Sequence, residues 1–138
     1  MDLKVFRDLC LRKPKPRGFS FPKAYVDYQK FMYLRVRFKD TGMACPNAHI
    51  DHVWHQHMLN PVVYHRDCMK WYGKLRDHDG TLGLTKAGKE VLAERIEVTL
   101  KLWESEFSSD SPMVHTKSTS KSASGKWHMI PSNYDGCG

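Results

Sequence analysis

Apolar positions recur at helical spacing along most of this chain. Leu3, Phe6, Leu9 and Cys10 fall three and four apart and predict a short amphipathic helix over residues 1–12 that docks on a larger body. Tyr25, Tyr28, Met32 and Val36, with Phe31 beside them, form a second stripe. Its end is ambiguous, because Leu34, Val36 and Phe38 alternate with Arg35, Arg37 and Lys39 as a strand would. No turn separates the two patterns, so helix is expected to about residue 37. Val91/Leu92, Ile96, Thr99/Leu100, Trp103 and Phe107 form the longest stripe, over residues 86–107.

Punctuation residues divide these stripes. KPKPRG, residues 13–18, is a stiff basic connector. Pro22 suits the first turn of the second helix, and Asp40-Thr41-Gly42 closes that element as a turn. Asn47 is a good N-cap for a helix running to about Leu59. Asn60 then caps and Pro61 starts a further helix through Tyr72, with Val62, Tyr64, Cys68, Met69 and Trp71 as its apolar contacts. Gly73 suits the left-handed position after that helix. Residues 73–84 read as a loop rich in Gly and Asp, and Thr85 caps the long final helix. The expectation is an all-α fold, a compact bundle of four to five helices.

Composition changes that picture at both ends. The net charge is +7, and residues 1–40 carry all of it, with eleven Lys/Arg against four Asp/Glu. Residues 1–21 are therefore expected to be a basic N-terminal arm or short helix, and 22–107 the helical domain. Residues 108–138 are Ser/Lys-rich with few core-forming side chains and are expected to be a disordered C-terminal tail. At 138 residues the chain has room for one core. No apolar run approaches the roughly 18 residues needed to span a bilayer, so no membrane partner is expected. Asp2 and Asp8 argue against a secretory signal. Cys10, Cys45, Cys68 and Cys137 form no CxxC pair and read as reduced thiols in the cytoplasm or nucleus.

The chemistry-bearing stretch is Pro46–His78, which holds six of the eight histidines. Each helical residue advances about 100°, so with Asp51 at zero His55 lies at roughly 40° and shares its face. His57 lies at roughly 240°, close to Ile50 and Val53, and reads as a core residue packed against Tyr64 or Cys68. His55 and His57 thus cannot clip one metal between them. A metal site needs three or four converging ligands. Asp51 and His55 can supply two, and His78 from the following loop or Cys68 a third, for zinc or another divalent transition metal. Cys68 with a nearby histidine could form a nucleophilic pair, but a cysteine on an inner helix face is usually a small hydrophobe. No catalytic residue is assigned.

The same residues carry a resemblance. Tyr28, Phe31-Met32 and Leu34, then Cys45-Pro46-Asn47, Ile50-Asp51, Val53-Trp54-His55, His57, Leu59, Pro61, Tyr64 and Cys68, then Gly73 and His78, resemble the glycine-rich domain-containing protein-like family. That family's hallmark is an ID-x-x-WH-x-H helix followed by a Tyr and a Cys, and it is found in plants, fungi and other eukaryotes. The resemblance covers about residues 22–107, including a helix with a Trp like Trp103. It implies no transferable activity, though plant members are associated with stress and development and some carry an RNA-binding-like segment. This chain has nine glycines and lacks the long glycine-rich region.

The leading functional expectation is a non-enzymatic interaction or scaffold domain with a protein partner, its Trp54, His57 and Tyr64 building structure. One alternative is a metal- or small-ligand-binding domain through Asp51, His55 and His78, with Cys68 in reserve. Another is nucleic-acid binding through Lys13, Lys15, Arg17, Arg35 and Arg37, where basic charge would meet phosphate.

Overall fold

The computed structural model describes residues 1–38 and 44–107. Five α-helices and one 3-10 turn account for the described elements, and no strand occurs among the described residues. In order they are α1 (Leu3–Leu11), α2 (Phe21–Arg37), α3 (Ala48–Met58), α4 (Pro61–Tyr72), the 3-10 turn Leu82–Leu84, and α5 (Lys86–Phe107). The expected turn at Asp40-Thr41-Gly42 and the expected tail over 108–138 lie outside the described residues.

Helix α3 is the centre of the packing, in contact with α1, α2 and α4. It buries Ile50, Val53, Trp54 and His57. The N-terminal helix is no loose arm. It begins on an Asp2 cap, whose carboxylate accepts from the Lys4 amide, and sinks Phe6 and Cys10 into the core. Its ring contacts reach Phe21 and His57.

The ambiguity at the end of α2 resolves as helix through Arg37. The buried stripe is not quite the one read from the sequence. Ala24, Tyr28, Phe31 and Leu34 are buried, while Tyr25 and Val36 are only half-buried. Two charged residues, Asp27 and Lys30, are buried with them. The Lys30 ammonium lies 4.5 Å from the Phe107 ring centre and 5.8 Å from that of Trp103, so α5 shelters its charge with aromatic faces. Lys23 pairs with Asp27 at 3.1 Å.

The caps follow sequence chemistry with one exception. Asn47 Oδ1 accepts from the Ile50 amide at 2.8 Å, and Thr85 Oγ1 accepts from the Gly88 amide at 2.9 Å. Asn60 makes no side-chain bond to α4. It turns back instead and donates its amide to the Gln56 carbonyl at 2.9 Å, closing the end of α3. Gly73 takes φ 77° just past α4, as its position predicts. Only the C-terminal half of α5 reaches the core, through Thr99, Trp103 and Phe107. Its N-terminal half packs on the 3-10 turn, where Gly88 approaches the Leu82 carbonyl so closely that a Cβ would overlap it. Among the described residues no helix is long and apolar enough to cross a membrane.

Candidate metal centre

Asp51 and His55 stand one turn apart on α3, and His55 Nε2 lies 3.2 Å from Asp51 Oδ2. The third member arrives from the segment after α4. His78 Nε2 lies 2.6 Å from Asp51 Oδ1 and 3.1 Å from His55 Nε2. All three ligand atoms fall within 4.8 Å of one another. The side chains are 32% (Asp51), 48% (His55) and 14% (His78) exposed, so the cluster opens at the surface.

Buried hydrogen bonds fold the 73–78 segment back onto α3. Gly73 turns the chain, and Arg76 is buried beneath it. The Tyr64 hydroxyl donates to the Arg76 carbonyl at 2.7 Å and accepts from Trp54 Nε1 at 2.9 Å. The Arg76 guanidinium donates to the Tyr72 carbonyl at 3.2 Å. The Trp54 ring then supports the His78 ring, with centres 4.3 Å apart. Burial pushes the Tyr64 phenol above its ordinary range, so the hydroxyl keeps its proton and its donor role.

His57 faces away, into a separate buried network. Asp67 is only an acceptor when ionised, so His57 Nε2 donates to Asp67 Oδ2 at 2.9 Å. In the neutral ring Nδ1 then accepts from the Tyr28 hydroxyl, 2.7 Å away. The Tyr64 ring stands edge-on to His57 with centres 4.9 Å apart. Asp67 escaped the sequence reading. Its signal was spacing, because it shares the inner face of α4 with Tyr64 and Cys68.

Cys68 is fully buried and is not among the converging three. Burial pushes its thiol above the ordinary range. Cys45 is pushed up to about 11, by burial first and then by the charge of Asp51. Asp79 follows His78 but is engaged locally: Thr81 donates to it from its hydroxyl at 2.6 Å and its amide at 2.9 Å, and those bonds hold its carboxyl below the usual range.

The basic candidates are scattered over different contacts. Lys13, Lys15 and Arg17 line a shallow cleft on the connector. Arg35 stacks over Trp54, its Cζ 5.2 Å from the ring centre. Arg37 pairs with Glu106 at 3.5 Å. Arg35 also reaches a cavity beside the cluster, of about 420 Å³, whose wall includes Asp51, His78, Trp54 and Arg95. Nothing in the local sequence around Arg95 signals this cavity, because its walls come from elements far apart along the chain.

Fold and cluster together define an all-α domain with two histidines and a carboxylate converging beside a cleft. Residues 19–67 match the family described as Glycine-rich domain-containing protein-like. Glycine-rich domain-containing protein 1 of Arabidopsis thaliana is 32% identical over 88 residues, covering 62% of this chain and 11% of that protein. Glycine-rich domain-containing protein 2 of the same plant is 37% identical over 105 residues, covering 69% of this chain and 13% of that protein. The chain carries a glycine-rich domain-containing protein-like domain, as its motif implied. It spans only that small share of the curated relatives' length. The family match takes in Asp51, Trp54, His55, His57 and Tyr64 and ends before Cys68 and His78. No solved structure matches the chain.

Proposed function

We propose that this domain binds one divalent transition metal, of zinc type, through a carboxylate oxygen of Asp51 and the Nε2 atoms of His55 and His78. One observation carries the reading: two imidazole nitrogens and a carboxylate, brought from α3 and the segment after α4, converge with their ligand atoms all within 4.8 Å of one another. Hydrogen bonds join the three only through the carboxylate: His78 Nε2 can donate to Asp51 Oδ1 at 2.6 Å and His55 Nε2 to Asp51 Oδ2 at 3.2 Å, and the two nitrogens, 3.1 Å apart, then have no bond between them. A cation at the centre accepts a lone pair from each of the three at once.

The spacing supports the same reading. With bonds of about 2.0–2.1 Å, neighbouring ligands of a tetrahedral zinc lie roughly 3.3 Å apart. The two imidazole nitrogens, 3.1 Å apart, already approach this; their distances to Asp51, 3.2 Å from His55 to Oδ2 and 2.6 Å from His78 to Oδ1, involve both carboxylate oxygens, so a single-oxygen ligand needs the carboxylate to turn. Three protein ligands leave a position for water or a ligand, as in open rather than purely structural zinc sites. The imidazole and carboxylate donors suit zinc and its neighbours better than calcium or magnesium. Trp54, His57 and Tyr64 then act as the frame of the site, so the structural and metal readings of the motif divide its residues between them. Cys10, Cys45 and Cys68 are free thiols, which fits a reducing compartment, cytoplasm or nucleus.

The test is metal analysis of full-length protein prepared without a histidine tag, wild type beside His78→Ala. We expect about one equivalent of zinc-type metal in the wild type and a loss of most of it in the variant. Less than about a tenth of an equivalent in zinc-supplemented wild type overturns the proposal.

A further inference from the structure

Beside two of the metal ligands, the 420 Å³ cavity is built from parts that have no role in holding the metal. Asp51 and His78 form one side of it. Arg35 enters from α2 and Arg95 from α5, two elements far apart in sequence. Asn47 and Ala48, the first turn of α3, lie in the same wall. A helix N-terminus carries roughly half a positive charge, and here it adds to two guanidinium groups. The volume falls in the range of small-molecule sites, about 300–1,000 Å³.

The charge balance of the walls points to the ligand's sign. Asp51, Asp77 and Asp79 also line the cavity. With a divalent metal on Asp51, that carboxylate is more than neutralised. Asp79 is turned to the Thr81 hydroxyl and amide, and Asp77 is exposed to water. The two arginines then dominate the interior. The Arg35 guanidinium is fixed over the Trp54 ring, and the charge of Arg95 is felt at Cys45 on the cavity's rim. A planar guanidinium matches carboxylate and phosphate oxygens in a two-point grip.

We propose that this cavity takes a small ligand bearing an oxyanion, carboxylate or phosphate, with one oxygen on the metal's open position and the others against Arg95 and Arg35. This rests on the metal reading above. The binding is a coordination exchange in which the anion's oxygen replaces water on the metal, so no electrons move. Arg95 acts as the specificity-determining residue, since its removal leaves all three metal ligands in place.

Cobalt makes both steps visible. Full-length protein loaded with Co²⁺ is titrated with inorganic phosphate and, separately, with oxalate, while the visible absorption and the heat of binding are followed. One or both anions should shift the cobalt bands saturably. Arg95→Gln should weaken that binding by about tenfold or more, equivalent to about 1.4 kcal/mol, with cobalt stoichiometry unchanged. Lys101→Gln, an exposed change on α5 away from the cavity, should leave it unaltered. A response to phosphate alone assigns a phosphate ligand, and to oxalate alone a carboxylate. Cobalt bands that neither anion moves, or that respond equally in Arg95→Gln, overturn this inference and leave the metal site standing. Absence of cobalt uptake overturns the metal reading and this inference with it.

Discussion

The Tyr64 hydroxyl accepts from the Trp54 indole and donates to the Arg76 carbonyl, two residues before His78. That single oxygen ties the α3–α4 body to the segment that carries His78, the proposed third ligand. Tyr64→Phe leaves a buried donor and a buried acceptor unpaired. The expected cost is about 1–3 kcal/mol of stability in urea unfolding of metal-free protein. Loosening a ligand's support typically costs about 10–100-fold in metal affinity, and a chelator competition should show a loss of that order. Lost stability with unchanged affinity would reduce Tyr64 to a purely structural role. The thiols give a second prediction at this scale. A thiolate, not a thiol, is the nucleophile. With Cys45 raised to about 11, it stays protonated at pH 8, and its reactivity should rise only as pH approaches that value. Iodoacetamide labelling at pH 8, mapped by peptide mass, should leave Cys45 largely unmodified in the native chain and modified in guanidinium. Equal labelling in both would contradict the burial that raises it.

At the scale of elements, a helix's own geometry was legible and its neighbours' choices were not. The 100° step alone places Asp51 with His55 and sends His57 to the opposite, buried face. No such arithmetic reaches His78, because a loop's path depends on Gly73, Arg76 and the Tyr64 bridge acting together. The buried Asp67 and Lys30 were hidden for a related reason. Charged residues read as solvent-facing until a partner on another helix is known, here His57 for Asp67 and the rings of α5 for Lys30. Asn60 is the N-cap residue of α4, its backbone carbonyl accepting from the Tyr64 amide, but its side-chain NH2 serves the helix before it. Gly88 shows a contact that sequence spacing cannot signal. Its hydrogen is all that fits between α5 and the Leu82 carbonyl. A methyl there must push α5 and the 3-10 turn apart, although alanine is the better helix former by about 1 kcal/mol. Gly88→Ala should therefore lower stability by about 1–3 kcal/mol, measured by thermal or urea unfolding. A stabilised variant would mean that the close approach is not kept in solution.

Across the whole molecule, the basic excess of the first 40 residues reads differently once its parts are placed. The N-terminal helix is an integral layer, with Phe6 and Cys10 at the core. Arg35 belongs to the wall of the cavity and Arg37 to an ion pair with α5. The helical class and the rough bounds of each helix followed from periodicity and caps, which are local. The cavity joins α2, α3, α5 and two connecting segments, and so appears only when the chain is folded. The curated relatives are far longer, and among the described residues the cluster is built from within residues 51–78.

The central claim is that Asp51, His55 and His78, without a cysteine, hold one metal. X-ray absorption at the zinc edge on tag-free, zinc-loaded protein tests it most directly. The account predicts a first shell of nitrogen and oxygen at about 2.0–2.1 Å, with the outer scattering of two imidazoles and no sulfur. A sulfur shell at about 2.3 Å, or zinc that washes away before the measurement, would contradict it.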